Sequence, residues 1–274
     1  MTSFTLGNHY LKSALTLAHA SYAAYENKPE TYEGFQDFQF DELIPFASDP
    51  KKDGGATRGF LAARQDAIVL VFRGTDIESV QDWAINLNAL QIQDNGAKVH
   101  QGFGLALASV WDKITVPLQK LVEQRKRKVW ITGHSLGGAL ATLATRRLLN
   151  MKIGQIETHT FGQPRVGDKA MGKQITSPFY RFAYVSDPVP LVPFGVPKAM
   201  DYTHAGTLKQ IDAAGNIHED ASNLVSHVTA TFHAIKQIKD ELLGNDLKTF
   251  VRERIKDHFM PNYVEKIANA IKKG

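Results

Sequence analysis

Apolar residues recur at three- and four-residue spacing between Tyr10 and Tyr25, at Leu11, Leu15, Leu17, Ala18 and Tyr22, which predicts a helix laid against a domain surface. The period then changes. After the Pro- and Gly-containing stretch 27–56, with its turn signal Asp53-Gly54-Gly55, two apolar runs follow, Gly59-Phe60-Leu61-Ala62-Ala63 and Ala67-Ile68-Val69-Leu70-Val71-Phe72. Polar Arg64-Gln65-Asp66 between them predicts a hairpin, and the continuous, branched second run suits a strand buried on both faces. Ile77 to Leu90 is an apolar segment broken by acidic residues, and Leu105 to Gln124 reads as one helical stretch. Lys128 to Leu149 reads as strand, turn and helix. Downstream, Ile156 to Phe161 and Phe179 to Val185 are predicted strands, and Tyr202 to Ile211 an edge strand closed by the Asp212 to Asn216 turn. Residues 222–243 and 246–256 are predicted helices split by Gly244-Asn245. Strands alternating with helices predict an α/β class, and the length suits one domain over residues 1–274.

Composition narrows the chemistry. The 274 residues are 43% hydrophobic and 22% charged, enough for one large core. The chain has no cysteine, which excludes disulfides, thiolate metal sites and a cysteine nucleophile. A net charge of +4 is too mild to argue for nucleic acid, though it suits an anionic lipid surface. No stretch approaches the roughly eighteen apolar residues of a membrane span. Met1 to Gly7 lacks the basic-then-apolar pattern of a signal peptide, so a cytoplasmic protein or a processed secreted form is expected. With no H-E-x-x-H, no G-x-G-x-x-G after a strand and no P-loop, neither a metal nor an organic cofactor is expected, nor a stable protein partner.

Chemistry concentrates in the turn of the strand-turn-helix unit. Gly133-His134-Ser135-Leu136-Gly137 is a G-x-S-x-G elbow. A serine on such a strained turn projects its hydroxyl clear of the sheet, glycines on either side keep strand and helix from colliding, and the helix points its positive end at the site. The competing account is a tight turn with a buried capping serine. A serine nucleophile needs an imidazole to take its proton and a carboxylate to hold that imidazole's tautomer. Asp187, in Ser186-Asp187-Pro188 after a predicted strand, stands where the acid belongs, although Asp-Pro turn chemistry explains it too. Five histidines follow it: His204, His218, His227, His233 and His258. Spacing does not choose among them, but His258 sits at the entry to a last helix, a freer place to present an imidazole. Upstream, Arg73-Gly74-Thr75-Asp76 places backbone N–H groups at a strand's carboxyl end. His100 reads as structural.

The chain resembles the class 3, fungal-lipase-like lipases of the α/β-hydrolase superfamily. The resemblance is carried by Val71-Phe72-Arg73-Gly74-Thr75, Asp82-Trp83 with Asn86-Leu87, Val99 to Phe103, Gly133 to Gly138, Thr160 to Gly167, Ser186 to Pro190, and Asp257-His258 with Met260 and Tyr263. It implies an α/β-hydrolase fold with a mostly parallel central sheet flanked by helices. It also implies a Ser135, Asp187, His258 triad, and an oxyanion hole from the N–H groups of Thr75 and Leu136. Residues 77–88 would form a lid carrying Trp83, and Asn86 would stand where some relatives place an aspartate that orients the Thr75 hydroxyl. His204 matches a family position outside the triad. The stretch between Asp187 and His258 is longer than in compact fungal members, which keeps His227 and His233 as alternatives for the base. The implied activity is hydrolysis of carboxylic esters, foremost triacylglycerols, at a lipid-water interface. A carboxylesterase or a phospholipase A1 would use the same parts, and a non-catalytic binding module is the remaining alternative.

Overall fold

The computed structural model describes residues 6–7, 10–26, 28–36, 38–53, 57–86, 89–193, 201–218 and 245–273. Its centre is a sheet that, among the described residues, runs β1 (Glu42–Ala47), β2 (Arg58–Ala63), β3 (Ala67–Phe72), β6 (Lys128–His134), β7 (Ile156–Phe161), β8 (Phe179–Tyr184), β9 (Thr207–Ile211), β10 (Ile217–His218). β4 (Gln91–Asp94) and β5 (Ala97–His100) form a separate hairpin. β3, β6, β7, β8 and β9 pair in parallel, and β1, β2 and β10 extend the sheet antiparallel at its two sides.

Period-2 alternation sorts the strand residues between two cores. Ile68, Leu70 and Phe72 of β3, with Val129 and Ile131 of β6, face the helices Gln101–Ala108, Trp111–Gln124 and Leu136–Asn150. Val69, Val71 and Trp130 face the N-terminal helix Tyr10–Ala23 and the C-terminal helix Met260–Lys273. Met260, Tyr263 and Ile267, at three- and four-residue spacing, are the buried stripe that seats this last helix on the sheet. Burying such a side chain is worth about 1.5–3 kcal/mol. That seating fixes the segment just before it, which carries His258.

Several expectations change. Leu105 to Gln124 falls in two helices: the first starts earlier, at Gln101, where the His100 ring caps it by accepting from Phe103 N–H at 3.3 Å, and the chain breaks at Ser109-Val110 before the second. The expected strand Tyr202 to Ile211 enters the sheet only at Thr207. Gly206, at φ +77°, turns the chain there, while Thr203 makes an isolated bridge to Gly167. β10 pairs with β9, so β9 is not the edge. The β4–β5 hairpin was signalled by Asn95-Gly96, both at positive φ (48° and 76°), the residues a two-residue hairpin turn favours. β1 carries Pro45, tolerated because β1 is an edge strand among those described. The predicted helix 222–243, with His227 and His233, lies outside the described residues. The helix expected at 246–256 is Asn245–Arg254. No described helix is long and apolar enough to cross a membrane.

Candidate active site

The elbow follows from steric necessity. A Cβ on Gly133 would lie 2.3 Å from the Gly137 backbone, and one on Gly137 would lie 2.3 Å from the Phe72 carbonyl oxygen. Only hydrogen fits at either place, so the helix can pass close to β3 and β6. Ser135 between them adopts φ +57°, ψ −128°, which costs a side-chain-bearing residue about 1–3 kcal/mol. Surrounding bonds hold it there: its N–H donates to the Phe161 carbonyl at 3.0 Å, and its carbonyl accepts from Gly138 N–H at 2.9 Å. The Ser135 hydroxyl is buried, has no hydrogen-bond partner among the described residues and makes no cap bond to the helix, which removes the capping-serine account.

Asp187 and His258 meet although they are 71 positions apart, with His258 Nδ1 2.8 Å from Asp187 Oδ2. The same oxygen accepts from the Tyr263 hydroxyl at 2.6 Å, and Oδ1 accepts from Val189 N–H at 2.8 Å. A carboxylate surrounded by donors fixes the imidazole tautomer: Nδ1 carries the proton and Nε2 presents its lone pair. His258 Nε2 is buried without a partner among the described residues, as the Ser135 hydroxyl is. Burial and the Asp187 charge raise the Tyr263 phenol well above its ordinary value, so it remains a donor. The end of β7 joins the parts. Phe161 holds Ser135, and the next residue, Gly162 at φ +55°, lies so close to the pair that a Cβ there would come 2.7 Å from Asp187 Oδ2 and 2.9 Å from the His258 ring.

The end of β3 closes the other side. A Cβ on Gly74 would approach Ser135 Cβ at 3.3 Å, so the Gly74-Thr75 backbone lies against the elbow. Thr75 Oγ1 is buried and has no partner among the described residues. Leu136 opens the helix, and its N–H is among those a helix leaves without an internal acceptor. A cavity of about 40 Å³, lined among others by Tyr25, Thr75, Val80, His134 and His258, lies here. That admits a water and no ester. The helix Ile77–Asn86 covers it: Val80 lines the cavity, Ala84 packs with Val189, Val192 and Val251, and Trp83 packs on that cluster with its ring 6.3 Å from Phe103. The side chain of Asn86, and residues 87–88, lie outside what is described, so the expected Asn86 contact to Thr75 does too.

The other described histidines are occupied elsewhere. His204 Nε2 donates to the Pro190 carbonyl at 2.9 Å, His218 pairs with Asp212 at 2.8 Å on β10, and His100 is a buried helix cap stacked on Phe103. Sequence reasoning assigned no role to Tyr25 or His134, although His134 stands inside the elbow motif. Its Nδ1 is 2.8 Å from the Tyr25 hydroxyl and its Nε2 2.7 Å from the His258 carbonyl.

Burial pushes His134 and His204 well below the ordinary histidine value. The unfolded chain binds protons that these folded rings refuse, so their stabilising contribution is complete above about pH 6.5 and declines as pH falls from there toward the folded-state values. Unfolding free energy is therefore expected to drop by roughly 1.4 kcal/mol per pH unit for each such ring below about pH 6.5. Urea midpoints measured from about pH 7.5 to 5.5 check this, and a flat profile would contradict it.

A mostly parallel sheet whose central strand runs through a G-x-S-x-G turn into a helix, with an Asp–His pair formed by the loop after β8 and the turn before the last helix, is an α/β-hydrolase. Residues 69–197 match the model of the lipase (class 3) family. In sequence it is 30% identical over 176 residues to a secreted mono- and diacylglycerol lipase A of Penicillium cyclopium, covering 61% of this chain and 56% of that one. It is 34% identical over 160 residues to a lipase of Rhizomucor miehei, covering 53% and 43%. The chain thus spans about half the length of the relatives it matches. Among solved structures, the Rhizomucor miehei triacylglyceride lipase superposes with a TM-score of 0.62 at 25% identity over 75% of this chain and 82% of that one. A Rhizopus microsporus var. chinensis lipase gives 0.61 at 29% identity over 76% of each. A triacylglycerol lipase whose catalytic centre is formed by a serine protease triad gives 0.61 at 26% identity, covering 74% and 79%.

Proposed function

We propose that this protein, as one domain, hydrolyses carboxylic esters of lipids, foremost triacylglycerols, through an acyl-enzyme on Ser135. The observation that carries this is the Asp187–His258 pair, which leaves His258 Nε2 and the Ser135 hydroxyl open to each other's chemistry. His258 Nε2 takes the proton as Ser135 Oγ attacks the carbonyl carbon. The resulting oxyanion is held by the N–H groups of Thr75 and Leu136, with the Thr75 hydroxyl, which has no partner among the described residues, as a further donor. His258 then protonates the departing alcohol, and water repeats the cycle to release the acid. Asp187 stabilises the imidazolium in each half. The likeness to enzymes that act on glycerides supports the substrate class.

The helix Ile77–Asn86 acts as a lid. With Ser135 fully buried and a cavity of about 40 Å³ beneath Val80, an acyl chain reaches the serine only after this helix moves. A lipid surface favours that motion by taking up the apolar face now packed on Val189 and Val251. Hydrolysis of p-nitrophenyl esters of increasing chain length, below and above their solubility limit, tests both parts. A lipase with a working lid gives a rate that jumps as substrate aggregates, whereas no jump removes the lid. Inertness toward all esters and toward an organophosphate removes the hydrolase reading itself.

A further inference from the structure

Beside the triad runs a buried polar chain that the hydrolytic cycle does not consume. Parity along β6 places His134 on the same face as Trp130 and Thr132, toward the N-terminal helix, where Thr132 already meets Ser21 at 2.9 Å. There His134 Nδ1 meets the Tyr25 hydroxyl at 2.8 Å and Nε2 meets the His258 carbonyl oxygen at 2.7 Å. A carbonyl only accepts, so Nε2 carries the proton of the neutral ring and Nδ1 accepts from Tyr25. The Tyr25 hydroxyl in turn lies against the Gly74 backbone, where a Cβ would come 2.2 Å from its oxygen. Both hydrogen bonds have one polarity, Tyr25 O–H to His134 and His134 Nε2–H to the His258 carbonyl, and the Tyr25 end is packed on Gly74. The Arg73 guanidinium lies over the Tyr25 ring at 5.6 Å, and the His134 ring lies 4.4 Å from that of His258.

We propose that Tyr25 and His134 are positioning residues of the hydrolytic site, joining the oxyanion strand end at Gly74–Thr75, on which Tyr25 packs, to the main chain of the base at His258 through this one-way pair of hydrogen bonds. The inference rests on the ester-hydrolase reading. Its physical need is plain: Thr75 follows the last residues of β3, and His258 ends a short 3-10 turn, Ile255–His258, so neither is held by the sheet ladder itself. Both must keep their places about Ser135 within a fraction of an ångström, since a displacement of about 1 Å costs on the order of a hundredfold in rate. The chain supplies a direct tie between them. Its neutral imidazole also lies beside His258 without opposing the positive charge that His258 gains in the transition state, as a second cation would.

The test uses the full chain with Tyr25→Phe, His134→Leu and His134→Gln, whose amide N–H can replace the donor to the His258 carbonyl. Turnover and KM are measured on a dissolved short-chain p-nitrophenyl ester, with thermal unfolding as the fold control. Tyr25→Phe and His134→Leu are each expected to lower kcat about 10- to 100-fold with KM within about threefold. His134→Gln should recover most of the loss. The double variant Tyr25→Phe/His134→Leu should be no worse than its worse parent, because both break one chain. If His134→Leu does not fold, Tyr25→Phe, which removes a single oxygen, decides alone. The proposal is overturned if Tyr25→Phe folds and keeps kcat within about threefold of wild type, if Gln is no better than Leu, or if the losses multiply. A wild type inert toward esters and organophosphate overturns the hydrolase reading and this inference together, whereas an active wild type with unaffected variants overturns this inference alone.

Discussion

Ser135→Ala is expected to lower turnover on the order of a millionfold while leaving the protein folded. The hydroxyl is buried without a partner among the described residues, so its removal breaks no hydrogen bond there and leaves no group among them orphaned. Alanine still carries a Cβ at φ +57° and keeps the backbone strain. Ser135→Gly separates the two effects. Glycine adopts that conformation without penalty, so this variant should be as inactive as Ser135→Ala and more stable than wild type, by about 1 kcal/mol or more. Ester hydrolysis and urea unfolding of the three proteins check the pair of statements. A glycine variant less stable than wild type would mean that the elbow is unstrained, and an alanine variant that keeps turnover would remove Ser135 as nucleophile.

Asp187→Asn is expected to cost about ten-thousandfold in turnover. Asp187 Oδ2 accepts from both His258 Nδ1 and the Tyr263 hydroxyl, and Oδ1 accepts from Val189 N–H. An amide oxygen can keep only one side of that set. Placed toward Val189, it turns its NH2 toward the imidazole, which then accepts at Nδ1 and carries its proton on Nε2, where it blocks proton transfer from Ser135. The variant also leaves the Tyr263 hydroxyl facing a donor, so a loss of stability of a few kcal/mol accompanies the loss of rate. Asp187→Glu, whose carboxylate reaches differently but still accepts, should retain more activity than the amide. Turnover equal to wild type in Asp187→Asn would exclude the carboxylate as the group that orients His258.

Much of this arrangement is legible along the chain because local physics decides it. The run Ala67 to Phe72 has no polar interruption, and it is buried on both faces in the sheet. The elbow glycines and serine announce a turn that only those residue types permit, and the structure places Ser135 there at positive φ. Asp187 directly after a strand, and His258 before a helix with buried Met260, Tyr263 and Ile267, are likewise readable as places where side chains are presented. The hairpin turn at Asn95-Gly96 was equally local and shows that a short signal is easily passed over when the flanking strands are only four residues each.

What only the tertiary structure decided are the meetings between distant segments. No spacing rule brings His258 to Asp187 in preference to His204. Packing of the last helix against the N-terminal helix does so, and it leaves His204 bonded to Pro190 instead. Likewise, Tyr25 lies 109 positions before His134, which in turn lies 124 before the His258 carbonyl it binds. The sequence by itself determined the class of fold, the elbow and its nucleophile candidate, because backbone sterics and hydrophobic periodicity act between near neighbours. The partners of each polar group were decided in three dimensions, because a buried donor must find an acceptor wherever the packed core brings one within reach.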